Sequence, residues 1–415
     1  MSDPTTPATG SAGEVFAAFL RQGLTAFGGP VAHLGFFHRD FVERRGWLSP
    51  AAYAQLVALC QFLPGPASSQ VGLALGFHRA GWAGALAAWC AFTLPSAAIM
   101  ALAGLGLAAI VPEPGAAWLQ GLKIAALAVV VQALIAMGRQ LTPDRARQTV
   151  ALAAFTVLVL WPGALTQVGV IAAGGLLGLL PGLRLGRGPN GMTMGSGAAA
   201  GATADGTIRG PGWTVALLLL AFFFALLFGL PLLAEATGNP WLARVEAYYR
   251  AGALVFGGGH VVLPLLESAT VAPGWVDRES FLAGYGLAQA VPGPLFTFSA
   301  FLGASDGGLA VALLALLAIF LPAWLLVLGA LPAQARLQAY APARHALAGA
   351  NAAVVGLLAA ALYDPIASAA LTGPGAVAGA AVAIVALLAW KLPAWALVAL
   401  AFMAGLALDL ADLAG

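Results

Sequence analysis

The sequence predicts an all-α polytopic membrane protein made of two homologous halves, an inverted internal repeat with a Pro-Gly-Pro-broken helix in each half. Three observations carry this. Of 415 residues, 61% are hydrophobic and 8% charged, where a soluble protein carries about 25% charged. Apolar runs long enough to cross a bilayer recur along the whole length, without the alternation of an outer-membrane barrel. And Gln61-Phe62-Leu63-Pro64-Gly65-Pro66 returns 228 residues on as Gln289-Ala290-Val291-Pro292-Gly293-Pro294, each copy inside apolar sequence. A net charge of +2 without a basic cluster gives no reason to expect a nucleic-acid partner. Cys60 and Cys90 lie in apolar segments without ligand spacing, and read as buried small hydrophobes.

In chain order, residues 1–13 form a polar tail lacking the positive n-region of a signal peptide. The first transporter repeat is expected over 14–183. Its first span, 14–37, is interrupted at Gly28-Gly29-Pro30, and a polar connection over 38–50 carries Arg39, Asp40, Glu43, Arg44, Arg45 and Trp47. The broken segment 51–77 follows, then apolar spans over 82–111, 116–138, 149–162 and 164–183. Residues 184–212 read as a Gly/Ala-rich flexible linker. A further helix, 213–235, has no counterpart in the first half. The second repeat occupies 236–415, in which Arg250 and Phe256-Gly257-Gly258-Gly259 replay Arg21 and Phe27-Gly28-Gly29-Pro30, Trp275 replays Trp47, and Pro322 replays Pro95. Counting each Pro-Gly-Pro segment as one crossing gives about thirteen crossings, with the halves facing opposite ways. With the N-terminus inside, most arginines then fall in the cytoplasm and Asp364, Asp409 and Asp412 outside, but Arg39, Arg44 and Arg45 land on the wrong face, against the positive-inside rule.

The breaks are the candidate site. Pro-Gly-Pro cannot continue a helix, yet proline suits a first helical turn, so a helix restarts after Pro66 and after Pro294. Its free N–H groups and positive dipole end face the break, which suits an anion. Irregular backbone within a bilayer survives only where buried or lining a cavity. Candidate substrate contacts are Gly28, Gly29, Gly65, Gly258 and Gly293 through the backbone, Ser68, Ser69 and Thr297 through hydroxyls, and Gln61. Arg21 and Arg250, repeat-related, could hold an oxyanion through paired donors or reach to the interface. Lys123 is the only lysine within a span, with Asn351 opposite it in the repeat; ionisable groups there are functional candidates. His33, His260, Glu43 and Glu267 are the candidates for proton coupling.

Phe27-Gly28-Gly29-Pro30 with His33, then Glu43-Arg44-Arg45-x-Trp47, then Gln61-x-x-Pro64-Gly65-Pro66 resemble the chromate ion transporter family in its long two-domain form, and Phe256-Gly257-Gly258-Gly259-His260 with Pro292-Gly293-Pro294-Leu295-Phe296-Thr297-Phe298 is similar to that family's second domain. The resemblance implies chromate export across the bacterial inner membrane, driven by the proton motive force, with resistance to chromate as the outcome. The partners it implies are chromate and protons in a lipid bilayer, with sulfate, which shares chromate's shape and charge, as the rival substrate and a homodimer as a candidate assembly. A passive anion channel is the remaining alternative. No cofactor or metal is expected, since no metal-ligand spacing occurs. Gly195-Ser196-Gly197 looks like a serine-nucleophile fragment but sits in the linker without a neighbouring histidine, so no enzyme is expected.

Overall fold

The computed structural model describes residues 10–110, 116–180 and 208–414, and among these all regular structure is helical. The tail up to residue 9, most of the 184–212 linker with its Gly-Ser-Gly fragment, and Gly415 lie outside the described residues. The first half comprises α1 (Ala12–Thr25), α2 (Gly29–Phe37, prolonged as a π-helix His38–Arg44), α3 (Pro50–Phe62), α4 (Ala67–Ile110), α5 (Ala117–Leu141), α6 (Arg145–Leu160) and α7 (Ala164–Gly178). The unpaired helix is α8 (Trp213–Thr237). The second half comprises α9 (Pro240–Ala253), α10 (Val262–Thr270), α11 (Arg278–Ala288), α12 (Phe298–Ala330), α13 (Gln334–Ala339), α14 (Ala341–Ala361, prolonged as a π-helix Leu362–Ala367), α15 (Pro374–Leu388) and α16 (Ala394–Ala414).

Local chemistry sets the boundaries. Ser11 caps α1 by accepting from the Glu14 N–H, and Ser49 caps α3 by accepting from Ala52 with Pro50 in the first turn. Asp144 and Asp277 cap α6 and α11 in the same way. Each cap satisfies a donor the helix cannot use internally. Among the described residues six helices are long and apolar enough to span a bilayer, namely α4, α5, α8, α12 with its flanking turns, α14 with its continuation, and α16. The chain is a multi-pass membrane protein.

The broken segments fold back on themselves at each break. Phe19 in α1 stacks on Phe41 with centroids 4.6 Å apart and meets Phe37 edge-on at 5.4 Å. A continuous rod would hold Phe19 and Phe37 about 27 Å apart, so α1 and α2 run back along each other. The same holds across Pro-Gly-Pro: Trp47, before α3, lies under the Arg79 guanidinium, 5.4 Å away, near the end of the first arm of α4. In the second half Phe281 of α11 meets Phe298 of α12 at 5.1 Å. Each arm is short, 14 residues in α1 and 13 in α3, or about 20 Å against a core of about 30 Å. The breaks are therefore tips of helical hairpins, not interruptions of crossing helices. A further reversal divides α4 at Ala80 and Gly81 and α12 at Gly307 and Gly308. Across it a Cβ on Gly84 would lie 2.1 Å from the Gly76 carbonyl, and one on Gly303 2.5 Å from that of Val311.

These reversals carry matching clamps of swapped charge. In the first half Arg79 at the bend pairs with Glu14 of α1 at 3.1 Å. In the second, Asp306 occupies the bend and Arg244 of α9 reaches it at 2.6 Å. The tryptophan stacks on whichever helix carries the arginine: Trp47 on Arg79, and Trp275 on Arg244 at 4.9 Å.

The halves are interlocked. The long arms of α4 and α12 pack together, while α5 packs on α15 and α16 and α14 packs on α6 and α7. Small residues permit the approach: added Cβ atoms on Gly121 and Gly405 would lie 2.2 and 2.3 Å from the Ala401 and Ala117 carbonyls. Asp409 of α16 accepts from the Ala117 and Trp118 N–H groups at 2.7 and 3.0 Å, capping α5.

Candidate functional site

The four hairpin tips converge at the centre, and they bond reciprocally. Gly65 donates its N–H to the Val255 carbonyl at 2.7 Å, and Gly293 donates to the Ala26 carbonyl at 3.0 Å. Ala26 and Val255 are repeat equivalents, each preceding the phenylalanine of its glycine break. Each Pro-Gly-Pro turn is thus docked on the glycine break of the other half. Gly65 and Gly293 hold φ of 116° and 101°, a region open to glycine and strained for other residues. A Cβ on Gly293 would meet Ser96 Oγ at 2.8 Å, and one on Gly65 would meet Gln70 Nε2 at 3.0 Å.

The first arm of α4 begins at Ala67 with Ser68, Ser69 and Gln70 all buried. Among the described residues Ser69 Oγ is enclosed and has no hydrogen-bond partner, whereas Gln70 donates to the Pro64 carbonyl at 2.8 Å and leaves its own oxygen unpartnered. Unpaired buried polar atoms cost about 1–3 kcal/mol each, and at a helix N-terminus they mark a place prepared for a polar guest. In the second half Thr297 Oγ1 donates to Pro294 O at 2.8 Å, so its hydroxyl is committed to the turn. Thr93 Oγ1 and Ser299 Oγ are further buried and unpartnered. Sequence reasoning missed Thr93 and Ser96; their signal was a hydroxyl on either side of Pro95, which repeats as Pro322.

The histidines sit close to the tips. His33 is fully buried, with Nε2 3.1 Å from Ala26 O and Nδ1 3.4 Å from Ser68 Oγ. It links the carbonyl that receives Gly293 to the first turn of α4. His260 Nδ1 lies 2.8 Å from the Tyr285 hydroxyl, and Gln289 follows one turn later on the same helix, its Nε2 unpartnered.

Of the other predicted residues, Glu43, Glu267 and Lys123 lie away from this centre. Glu43 pairs with His38 at 3.1 Å in the polar connection, and Glu267 stands 3.9 Å from Arg278. Lys123 is 5% exposed and pairs with Glu279 at 3.6 Å where α5 crosses α11. Asn351 keeps an unpartnered buried oxygen, 3.5 Å from where a Cβ on Gly257 would sit. Gly258 has a φ of 148° and Gly29 one of 75°. Arg250 is half-buried and paired with Glu246 one turn back, whereas Arg21, Gly28 and Gln61 are exposed. The structure brings Gly65, Ser68, Ser69, Gly293, Thr297 and His33 together; it does not bring the two arginines to them.

The sequence profile described as Chromate transporter matches residues 13–179 and 242–406, one stretch in each half. The chain is 30% identical over 360 residues to the chromate transport protein of Pseudomonas aeruginosa, covering 85% of this chain and 80% of that one. It is 30% identical over 338 residues to the chromate transport protein of Cupriavidus metallidurans, 78% of each. A probable chromate transport protein of Synechococcus elongatus is 30% identical over 319 residues, covering 74% of this chain and 72% of the relative. No solved structure matches the chain. Matched in both halves and built around paired glycine breaks, the chain belongs to the chromate transporter family, whose members are transport proteins and not enzymes.

Proposed function

We propose that the chain is a secondary carrier that exports chromate across the bacterial inner membrane, coupled to protons, and so confers chromate resistance. The observation that carries this reading is the prepared helix N-terminus at Ser68 and Ser69, with its unpartnered hydroxyl, docked against the opposite half. N–H groups and hydroxyls there can replace part of the hydration that a dianion loses. The tips are tied to each other by backbone bonds, which fits a carrier with gates better than an open channel. His33 touches both the Ser68 hydroxyl and the Ala26 carbonyl, so protonation there would act directly on the anion site. Flux of radiolabelled chromate into proteoliposomes, with sulfate as competitor and an imposed pH gradient, tests the reading. Saturable flux that responds to the gradient and prefers chromate is expected. Flux following only the anion's electrochemical gradient would make the protein a channel, and preference for sulfate would change the substrate.

Ser69→Ala should lower chromate affinity by about 0.5–1.5 kcal/mol, the worth of a neutral hydrogen bond, or roughly 2- to 13-fold. Equilibrium binding to well-folded protein measures it, and unchanged affinity would remove the hydroxyl from the site.

The hairpins also suggest a membrane orientation. Taking the long arms of α4 and α12 with α5, α6, α7, α8, α14, α15 and α16 as crossings gives nine, five of them between the starts of the two repeats. The halves are then inverted. Arg21, Arg39, Arg44, Arg45, Arg79, Arg139, Arg145, Arg147, Arg209, Arg336, Arg344 and Lys391 fall on the face of the N-terminus with Glu14, Asp40, Glu43 and Asp144, and Arg244, Arg250 and Arg278 fall on the other with Glu235, Glu246, Glu267, Asp277, Glu279, Asp306, Asp364 and Asp409. The excess of basic residues on the first face supports a cytoplasmic N-terminus by the positive-inside rule. Single cysteines at Glu43 and Tyr340 should both label from the cytoplasm, and one at Tyr363 from outside. External labelling at Glu43 would restore thirteen crossings.

A further inference from the structure

The two halves share a fold but not a conformation, and the difference is systematic. In the second half α11 is covered by α5. Leu282 and Ala283 are buried, a Cβ on Gly286 would lie 2.6 Å from the Leu122 carbonyl, and Lys123 pairs with Glu279 at 3.6 Å. Among the described residues the equivalent helix of the first half, α3, meets α13 but has no comparable packing against α14, the counterpart of α5. Ala51, Ala54 and Gln61 on it are exposed, although Ala54 is the repeat equivalent of the buried Leu282 and Gln61 that of the half-buried Gln289. Arg21 and Gly28 are likewise exposed where Arg250 and Gly257 are half-buried.

Lipid does not account for the uncovered face. The faces of lipid type on this protein carry large exposed side chains, such as Leu217, Leu218, Phe222 and Phe228 on α8 and Leu400 and Met403 on α16. The exposed positions of α3 are instead small or polar, and at its tip end stands the Gln61 amide, a group that is costly against hydrocarbon and at ease against water. This face begins at the Trp47 end of the bundle, where α3 starts.

Resting on the carrier reading, we infer that the structure is the state open towards the Trp47 face, closed on the opposite face by α5 seated on α11, and that transport alternates it with a state in which α14 seats on α3. The repeat fixes the contacts of the second state. Lys123 and Glu279 correspond to Asn351 and Ala51, and Leu122 and Gly286 to Ala350 and Ala58, all at an offset of 228. The gate closed here therefore carries an ion pair, and its counterpart carries none. Inverted repeats make this exchange by letting each half adopt the other's arrangement about a shared centre.

The test uses full-length protein with Cys60 and Cys90 replaced by alanine, in proteoliposomes. Lys123→Cys with Glu279→Cys should be joined by a short bifunctional thiol reagent without added anion, and joining should stop flux until the link is reduced. Ala51→Cys with Asn351→Cys should join slowly at rest and at least several-fold faster during turnover, again stopping flux. As a reading independent of paired variants, Ala54→Cys should label from the cytoplasmic side at rest and be protected once the Lys123–Glu279 gate is pulled open by Glu279→Lys. Continued flux through the linked Lys123–Glu279 pair would overturn the inference. So would failure of the Ala51–Asn351 pair to join in protein that transports, or an unlabelled Ala54→Cys. Joining at Ala51–Asn351 that responds to sulfate but not chromate would keep the gate and overturn the substrate instead.

Discussion

Replacing Gly65 and Gly293 together with alanine should abolish transport at normal membrane abundance. Both residues hold positive φ, which costs a non-glycine residue of order 1–3 kcal/mol. The added methyl groups also have little room. At Gly293 it would lie 2.8 Å from Ser96 Oγ and 3.2 Å from the Phe92 carbonyl; at Gly65 it would meet Gln70 Nε2 at 3.0 Å and Ala323 at 3.8 Å. Gly293→Ala should thus be the more damaging single change, since backbone yields less readily than the end of a glutamine. Each substitution presses on a turn whose N–H group holds the opposite half's glycine break. Flux normalised to protein in the membrane is the measurement, and full transport by the double variant would remove the breaks from the mechanism.

Loss of the Asp306 carboxylate should be the largest effect on stability. Its side chain is 5% exposed and pairs with Arg244 through two nitrogens, at 2.6 and 2.8 Å. Removing the acid leaves the part-buried Arg244 uncompensated, a cost that approaches the ~3–5 kcal/mol of a fully buried pair. Asp306→Ala should lower the thermal midpoint and the folded yield in detergent. The first half supplies its own control, because there the bend carries the base and the neighbouring helix the acid. Exchanging the charges, Arg244→Asp with Asp306→Arg, should recover part of the loss, whereas Arg244→Ala with Asp306→Ala should be milder than Asp306→Ala alone. A harmless Asp306→Ala would show the clamp to be incidental.

Much of this was legible in the chain. The repeat, its register and both kinds of break could be read from Phe-Gly-Gly and Pro-Gly-Pro at a nearly constant spacing. That Gly65 and Gly293 carry the turn also followed from their chemistry. The direction of the chain after each break did not, because a proline-glycine break permits a kink or a reversal and only tertiary contacts such as Phe19 on Phe41 decide. The charge pattern holds a clue: with 14–37 taken as a crossing, Arg39, Arg44 and Arg45 fall on the wrong face. Arg21 and Arg250 looked alike from the repeat, but Glu246 one turn before Arg250 has no acidic counterpart near Arg21, where residue 17 is alanine. Sequence also could not supply Thr93 and Ser96, whose relevance comes from the opposite half's turn resting beside them.

The seating of α5 on the last two helices has a consequence for how the protein is made. While the ribosome is still reading the middle of the message, α5 has already entered the bilayer, but the Asp409 carboxylate that will cap its first N–H groups is among the last residues to emerge. Until then Lys123, whose partner Glu279 also comes later, is an unneutralised cation within a newly inserted helix. The first half thus depends on the second for the cap on α5 and the partner of Lys123, and a message truncated before α16 should give a lower folded yield in the membrane than the full chain.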